Sequence, residues 1–128
     1  MSNELYEGKV LWLVRGIPGS GKTTFAKSLG IDDHYEADMW MDDNGGYSRA
    51  NLKFAHEWCQ KQVFGAMYNN RPVVVSNTFI KRWEMDFYKT AASNFGYTVV
   101  EVTMNGRYTP IRDIPFEVIE RMERIFEM

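Results

Sequence analysis

Nine consecutive residues, Gly16-Ile-Pro-Gly-Ser-Gly-Lys-Thr-Thr24, carry the residue types that hold a phosphate chain. They match the phosphate-loop pattern G-x-x-x-x-G-K-[ST] at every position. In such a loop Gly16, Pro18, Gly19, Ser20 and Gly21 form a cradle, and its backbone N–H groups, of which Pro18 has none, point at the β-phosphate. The positive end of the following helix stands behind them. Lys22 would bridge the β- and γ-phosphate oxygens, and the Thr23 hydroxyl would ligate Mg²⁺. The Thr24 hydroxyl has two uses, reaching the α-phosphate or capping the helix. A Gly-rich turn of no function would account for the glycines, but not for a Lys-Thr pair at a helix start. The expected ligand is a nucleoside triphosphate.

The pattern means little without the elements that hold it. An apolar run, Val10-Leu-Trp-Leu-Val14, leads into the loop, and Thr24-Phe-Ala-Lys-Ser-Leu29 leaves it as a helix. The spacing predicts a strand over 9–15 and a helix over 22–29. A short second strand covers 34–37 and ends at Asp38, and a polar loop covers 42–48 with Asn44-Gly45-Gly46 as a turn. Leu52, Ala55, Cys59, Val63 and Ala66 recur at helical spacing, which predicts a helix over 51–68. Pro72-Val-Val-Val-Ser76 reads as a strand buried on both faces of a parallel sheet. A helix over 83–94, capped by Gly96, and a strand over 97–104 follow. After a loop over 105–114, Pro115 opens a last helix carrying Phe116, Ile119, Met122, Ile125 and Phe126. Those apolar residues could pack on the sheet or on a second copy, so the oligomeric state stays open.

Alternating strands and helices imply a parallel sheet with right-handed crossovers. Ligands in such sheets bind beyond the carboxyl ends of the strands. That rule gathers Gly16–Thr24, Asp38 and Ser76–Thr78 at one edge.

Composition sets outer bounds. A chain of 128 residues, 45% hydrophobic and 15% aromatic, is expected to form a single domain over 1–128 with a real core. A net charge of -2 and a pI near 5.7 argue against broad coating of nucleic acid, though not against one strand end in a local basic cleft. Cys59 is the single cysteine, which excludes a disulfide framework or a zinc cluster of cysteines. No apolar run is long enough for a membrane span and no leader is visible, so a cytoplasmic protein without a membrane partner is expected.

Together these stretches resemble the P-loop kinase group that includes the 5′-kinase domain of bacteriophage polynucleotide kinase. They are also similar to the kinase-like domains often labelled AAA-type ATPases in phage genomes and to zeta-toxin-related proteins. The resemblance covers nearly the whole chain. It rests on the phosphate loop, on Tyr35-Glu-Ala-Asp38-Met, and on Val73-Val-Val-Ser-Asn-Thr78 followed by Trp83-Glu-Met. It rests also on Asp113-Ile-Pro-Phe-Glu-Val-Ile-Glu-Arg-Met122. It implies a three-layer P-loop fold with strand order 2-3-1-4, and transfer of the γ-phosphoryl group from ATP, with Mg²⁺, to a hydroxyl. The acceptor would be the 5′-OH of a nucleic acid or a nucleotide-like molecule, and a phage-encoded protein would act in the host cytoplasm.

By the same resemblance Asp38 would be the general base. Phosphoryl transfer to an alcohol also calls for a carboxylate that accepts the hydroxyl proton and aligns the oxygen. A plain helix cap or turn aspartate is the alternative. Two departures stand out. Ser76 and Asn77 lie where the second nucleotide-binding motif supplies an acid, and neither is acidic. Asn77 could still hold a Mg²⁺-bound water through a neutral oxygen, more weakly than a carboxylate. Family kinases also place several arginines on a flap after the fourth strand, where they neutralise charge on the transferred group. Here only Arg107 and Arg112 are available, with Arg112 the first choice. Arg15 could face the phosphates too, although a strand-end arginine is more often a surface residue.

Other residues carry weaker signals. His34 and His56 lack metal-ligand spacing and read as structural, and Cys59 reads as core. Trp40 and Tyr47 could stack on a base or simply pin the loop after Asp38. Lys53 and Lys81-Arg82 could form a basic rim or be ordinary solvated charges. Three activities remain in play: a small ATP-dependent kinase, a nucleotide-binding module with little catalysis that acts through a protein partner, and a simple ATPase. No adenine-reading motif separates ATP from GTP.

Overall fold

The computed structural model describes residues 8–106 and 114–128. In chain order the elements are β1 (Val10–Arg15), α1 (Lys22–Ser28), β2 (Asp33–Tyr35), α2 (Ala37–Asp43), α3 (Arg49–Tyr68) and β3 (Val73–Asn77). A short 3-10 turn (Arg82–Met85), α4 (Asp86–Phe95), β4 (Thr98–Thr103) and α5 (Phe116–Ile125) complete it. The four strands make one parallel sheet in the order β2-β3-β1-β4, as expected.

The two central strands explain their own composition. Every residue of β1 and β3 is buried, so neither can alternate polar and apolar residues. Successive side chains enter opposite layers. Leu11, Leu13, Val73 and Val75 pack with Val63, Ala66 and Met67 of α3 and with Tyr88, Ala91 and Ala92 of α4. Val10, Trp12, Val14 and Val74 pack on the other face with Ala26 of α1, Ile31 and the partly buried Phe25. Each such Leu or Val taken from water contributes about 1.5–3 kcal/mol. Strand β4 lies at the edge and is half exposed; Glu101 on it pairs with Arg82 and Lys89 at 2.8 and 2.7 Å.

Local signals set the helix ends. The Ser48 hydroxyl accepts the Asn51 N–H at 3.0 Å, so α3 begins at Arg49, two residues before the periodicity alone suggested. At the end of α4, Gly96 takes φ 73° while Gly96 N–H and Tyr97 N–H donate to Ser93 and Ala92 carbonyls, a Schellman turn.

Two expectations need correction. The second strand is shorter and earlier than 34–37, and a seven-residue helix, α2, takes in the expected strand end and the first two residues, Asp42 and Asp43, of the expected polar loop. Asp38 therefore sits in the first turn of α2, where its charge complements the helix dipole. The loop from α2 to α3 is pinned by Asn51, whose Nδ2 donates to the Asn44 and Gly46 carbonyls. The last helix, α5, buries none of its residues. The chain end is tied down instead: Glu127 N–H donates to the Ile80 carbonyl at 2.8 Å, and Arg82 N–H to the Glu127 carboxylate at 2.8 Å.

Candidate nucleotide site

The turn from β1 into α1 is closely surrounded. Gly16 N–H donates to the Thr78 carbonyl at 3.2 Å, and Met104 N–H to the Arg15 carbonyl at 2.7 Å. The loop thus begins between the ends of β3 and β4. A Cβ on Gly16 would meet the Ser20 hydroxyl and lie 2.6 Å from the Met104 carbonyl oxygen, so only glycine fits. Gly21 takes φ 95° at the start of α1, and no side chain caps that helix. Lys22 folds back over the loop, its Nζ 3.3 Å from the Ile17 carbonyl.

A cavity of about 650 Å³ opens in front of this loop. That volume lies in the range of about 300–1,000 Å³ typical of small-ligand sites. The structure brings Pro18, Gly19, Gly21, Lys22, Thr23 and Thr24 to its wall, together with Asp38 from α2 and Ser76, Asn77 and Thr78 from the end of β3. Three stretches of sequence thus meet at the carboxyl edge of the sheet. Ser20 is wholly buried inside the loop.

Residues to which the sequence assigned no catalytic or phosphate-binding role share the cavity. His56 and Leu52 of α3, Glu84 of the 3-10 turn and the exposed Tyr47 also line it. Burial lowers the His56 pKa below its ordinary 6.5, while the charges of Glu84 and Asp38 pull it back up. The imidazole is therefore neutral at neutral pH. His56 gave no signal in sequence because its partners lie on other elements.

Several expected residues are occupied otherwise. The Thr23 hydroxyl donates to Glu36 Oε1 at 2.9 Å, and the other Glu36 oxygen lies 2.7 Å from His34 Nε2. Glu36 is buried, and it stood unremarked in the same stretch as Asp38. The Asn77 side-chain oxygen accepts the Ala37 N–H at 2.8 Å, and its Nδ2 lies 4.0 Å from Cys59 Sγ. Arg15 neither lines the cavity nor reaches the surface. It is fully buried, donates to the Phe79 and Ile80 carbonyls, and lies 4.2 Å from the Phe126 ring centre. It holds a loop in which Phe79 takes φ 45°, a conformation that bulky side chains rarely adopt. Arg107 and Arg112 lie outside the described residues.

The aromatic and basic candidates divide as well. Trp40 packs on Phe54, with ring centres 6.1 Å apart, whereas Tyr47 lines the cavity. Lys81 and Arg82 are paired with Glu127 and Glu101. Cys59 is core, its thiol pushed up to about 12 by burial. Among the described residues no cluster of three His, Cys, Asp or Glu side chains could hold a metal, and no helix is long and apolar enough to cross a membrane.

A family model described as an AAA domain matches residues 11–127. NEDD4-binding protein 2 of Homo sapiens is 35% identical over 103 residues, covering 74% of this chain and 6% of that protein. The chain thus spans a small part of that relative's length. In backbone it is similar to a chain of the Pnkp1/Rnl/Hen1 RNA repair complex, with a TM-score of 0.64 at 17% identity, covering 94% of this chain and 38% of that one. It is similar also to the Mycobacterium tuberculosis APS kinase CysC in complex with AMPPNP and APS. There the TM-score is 0.52 at 19% identity, covering 92% of this chain and 69% of that one. These likenesses show a P-loop kinase fold.

Proposed function

The chain belongs to this AAA domain family, and from that premise we propose that it is an ATP-dependent phosphotransferase that moves the γ-phosphoryl group to a hydroxyl. One observation carries the reading: a carboxylate, Asp38, lines the same cavity as Gly19, Gly21, Lys22 and Thr23 of the phosphate loop. Besides complementing the α2 dipole, an acid on that wall supplies what transfer to a hydroxyl requires and nucleotide binding alone does not.

Each residue has a role in this account. The loop amides of Gly19 and Gly21 and the Lys22 ammonium hold the β- and γ-phosphates. Asp38 accepts the proton of the acceptor hydroxyl and keeps its oxygen in line with the γ-phosphorus. The new O–P bond forms as the bond from the γ-phosphorus to the β,γ-bridging oxygen breaks, and ADP leaves. Arg112 is proposed to meet the charge on the transferred group.

The site also fits Mg²⁺. The Thr23 hydroxyl is a hard oxygen at the helix start, Asn77 has a second lone pair for a metal-bound water, and the buried Ser76 hydroxyl on the cavity wall has no hydrogen-bond partner among the described residues. Bound with the nucleotide, Mg²⁺ would offset the negative charge of the phosphate oxygens.

The acceptor is proposed to be a 5′-hydroxyl of a polynucleotide or a nucleotide-like molecule. The half-exposed Tyr47 ring and Leu52 offer a flat, partly apolar wall on which a base could stack. Residues 1–128 are read as one such domain, acting in the cytoplasm. Incubation with γ-labelled ATP and Mg²⁺ tests the reading, with 5′-hydroxyl oligonucleotides, nucleosides and nucleoside monophosphates offered in parallel. Label on one of these acceptor classes is expected. Label appearing only as free phosphate would make the protein an ATPase instead.

A further inference from the structure

We infer that Glu36, at the end of β2, supplies the metal-site carboxylate that the end of β3 lacks, and that it acts by orienting the Thr23 hydroxyl toward a nucleotide-bound divalent cation. The inference rests on the proposal that the cavity binds a nucleoside triphosphate with Mg²⁺.

Three observations converge on it. The first is the hydrogen bond. Thr23 Oγ1 donates its proton to Glu36 Oε1 at 2.9 Å. A hydroxyl whose proton is spent on a carboxylate turns its lone pairs elsewhere, and Thr23 lines the cavity. An oxygen so arranged is a better ligand for a hard cation. The neighbouring negative charge adds to that, as outer partners of metal ligands generally do.

The second is register. Strands β2 and β3 pair as Tyr35↔Val75. One residue further on stand Ser76, still in β3, and Glu36, the first residue past β2. The acid thus sits one strand over from where it was sought, at the same height in the sheet. The Ser76 hydroxyl, 1% exposed and on the cavity wall, has no hydrogen-bond partner among the described residues. That orphaned oxygen is what a neutral residue in place of the acid would leave, with room for a cation-bound water to satisfy it.

The third is burial. Glu36 is 4% exposed and stands behind Thr23, outside the cavity wall. A carboxylate costs several kcal/mol to bury without compensation. His34 Nε2 at 2.7 Å and the Thr23 hydroxyl are the partners that hold it. A cation on the far side of Thr23 would complete the compensation. Mg²⁺ commonly takes few protein oxygens and keeps several waters beside the substrate phosphates.

Mn²⁺ binding, followed by electron paramagnetic resonance with a non-hydrolysable ATP analogue present, tests this without relying on turnover. Glu36→Gln is expected to weaken Mn²⁺ binding by about 10–100-fold, while metal-free analogue binding stays within about twofold of wild type. Ser76→Asp in the Glu36→Gln background is expected to recover most of the loss, because it returns an acid to the same height in the sheet. A purely structural Glu36 would not be rescued in that way. Unchanged Mn²⁺ binding in Glu36→Gln would overturn the inference even if phosphoryl transfer were established. If the protein transfers no phosphoryl group, the metal readout still stands by itself. Should Glu36→Gln not fold, the anomalous Mn²⁺ signal in wild-type crystals grown with the analogue decides. A metal bonded to Thr23 Oγ1, and so about 4–5 Å from the Glu36 carboxylate across that one oxygen, supports the assignment; a metal not bonded to Thr23 Oγ1 refutes it.

Discussion

The backbone N–H of Ala37 donates to the side-chain oxygen of Asn77 across 2.8 Å, joining the first turn of α2 to the end of β3. Asp38 is the next residue along α2. The position of the proposed base is thereby referred to the centre of the sheet, although the helix that carries it has only seven residues. Asn77 is buried, so the bond is not shared freely with solvent.

Asn77→Ala removes that acceptor and leaves the Ala37 amide unpaired. The expected cost is about 1–3 kcal/mol of stability, seen as a lowered thermal midpoint, with phosphoryl transfer falling further than stability alone explains. Asn77→Asp keeps an acceptor oxygen and should stay closer to wild type in stability. Equal stabilities for the Ala variant and the wild type would mean that the bond contributes nothing.

Gly16→Ala places a methyl group against the Ser20 hydroxyl and 2.6 Å from the Met104 carbonyl. Both neighbours belong to the frame of the phosphate loop, so the loop must move. Nucleotide affinity should fall at least about tenfold, some 1.4 kcal/mol, in a direct titration with labelled ATP. The same change at Gly45, where an added Cβ meets nothing within 4 Å, should leave affinity alone despite its φ of 94°.

His56 gives a pH signature. Its pKa is lowered in the folded protein by burial, against 6.5 for the ordinary group. The unfolded chain then binds a proton near pH 6.5 that the folded chain refuses until lower pH. Stability is therefore full above about pH 6.5 and declines as pH falls below it, by at most about 1.4 kcal/mol per pH unit. His56→Gln should flatten this part of the curve of thermal midpoint against pH. A slope unchanged by the substitution would assign the effect to other groups.

The phosphate loop and the buried central strands were legible because their signals are local: contiguous residues, or apolar runs set by burial on both faces; the strand order came from the family resemblance, since no local signal encodes which strands are neighbours. What escaped was decided by distant partners. Arg15 looks like a surface or phosphate-facing residue, yet its hydrogen-bond partner Phe79 lies 64 positions away and its ring partner Phe126 at the chain end. Glu36 was overlooked because an acid was sought on β3, whereas its partner Thr23 comes from α1. Helix α2 ends on Asp42 and Asp43, which oppose the helix dipole and make the segment read as a loop. Packing of Ala37 and Met41 against Ala55 and Cys59 overrides that preference.

The central claim is that one carboxylate turns a nucleotide-binding cavity into a phosphotransferase. Asp38→Asn preserves the side-chain shape and removes the base. Label transfer from γ-labelled ATP to the acceptor class found active, measured beside ATP binding in the same preparation, tests it most directly. The account predicts ATP affinity within about threefold of wild type and transfer slowed by about 10²–10⁴-fold. Transfer at the wild-type rate in Asp38→Asn would contradict it.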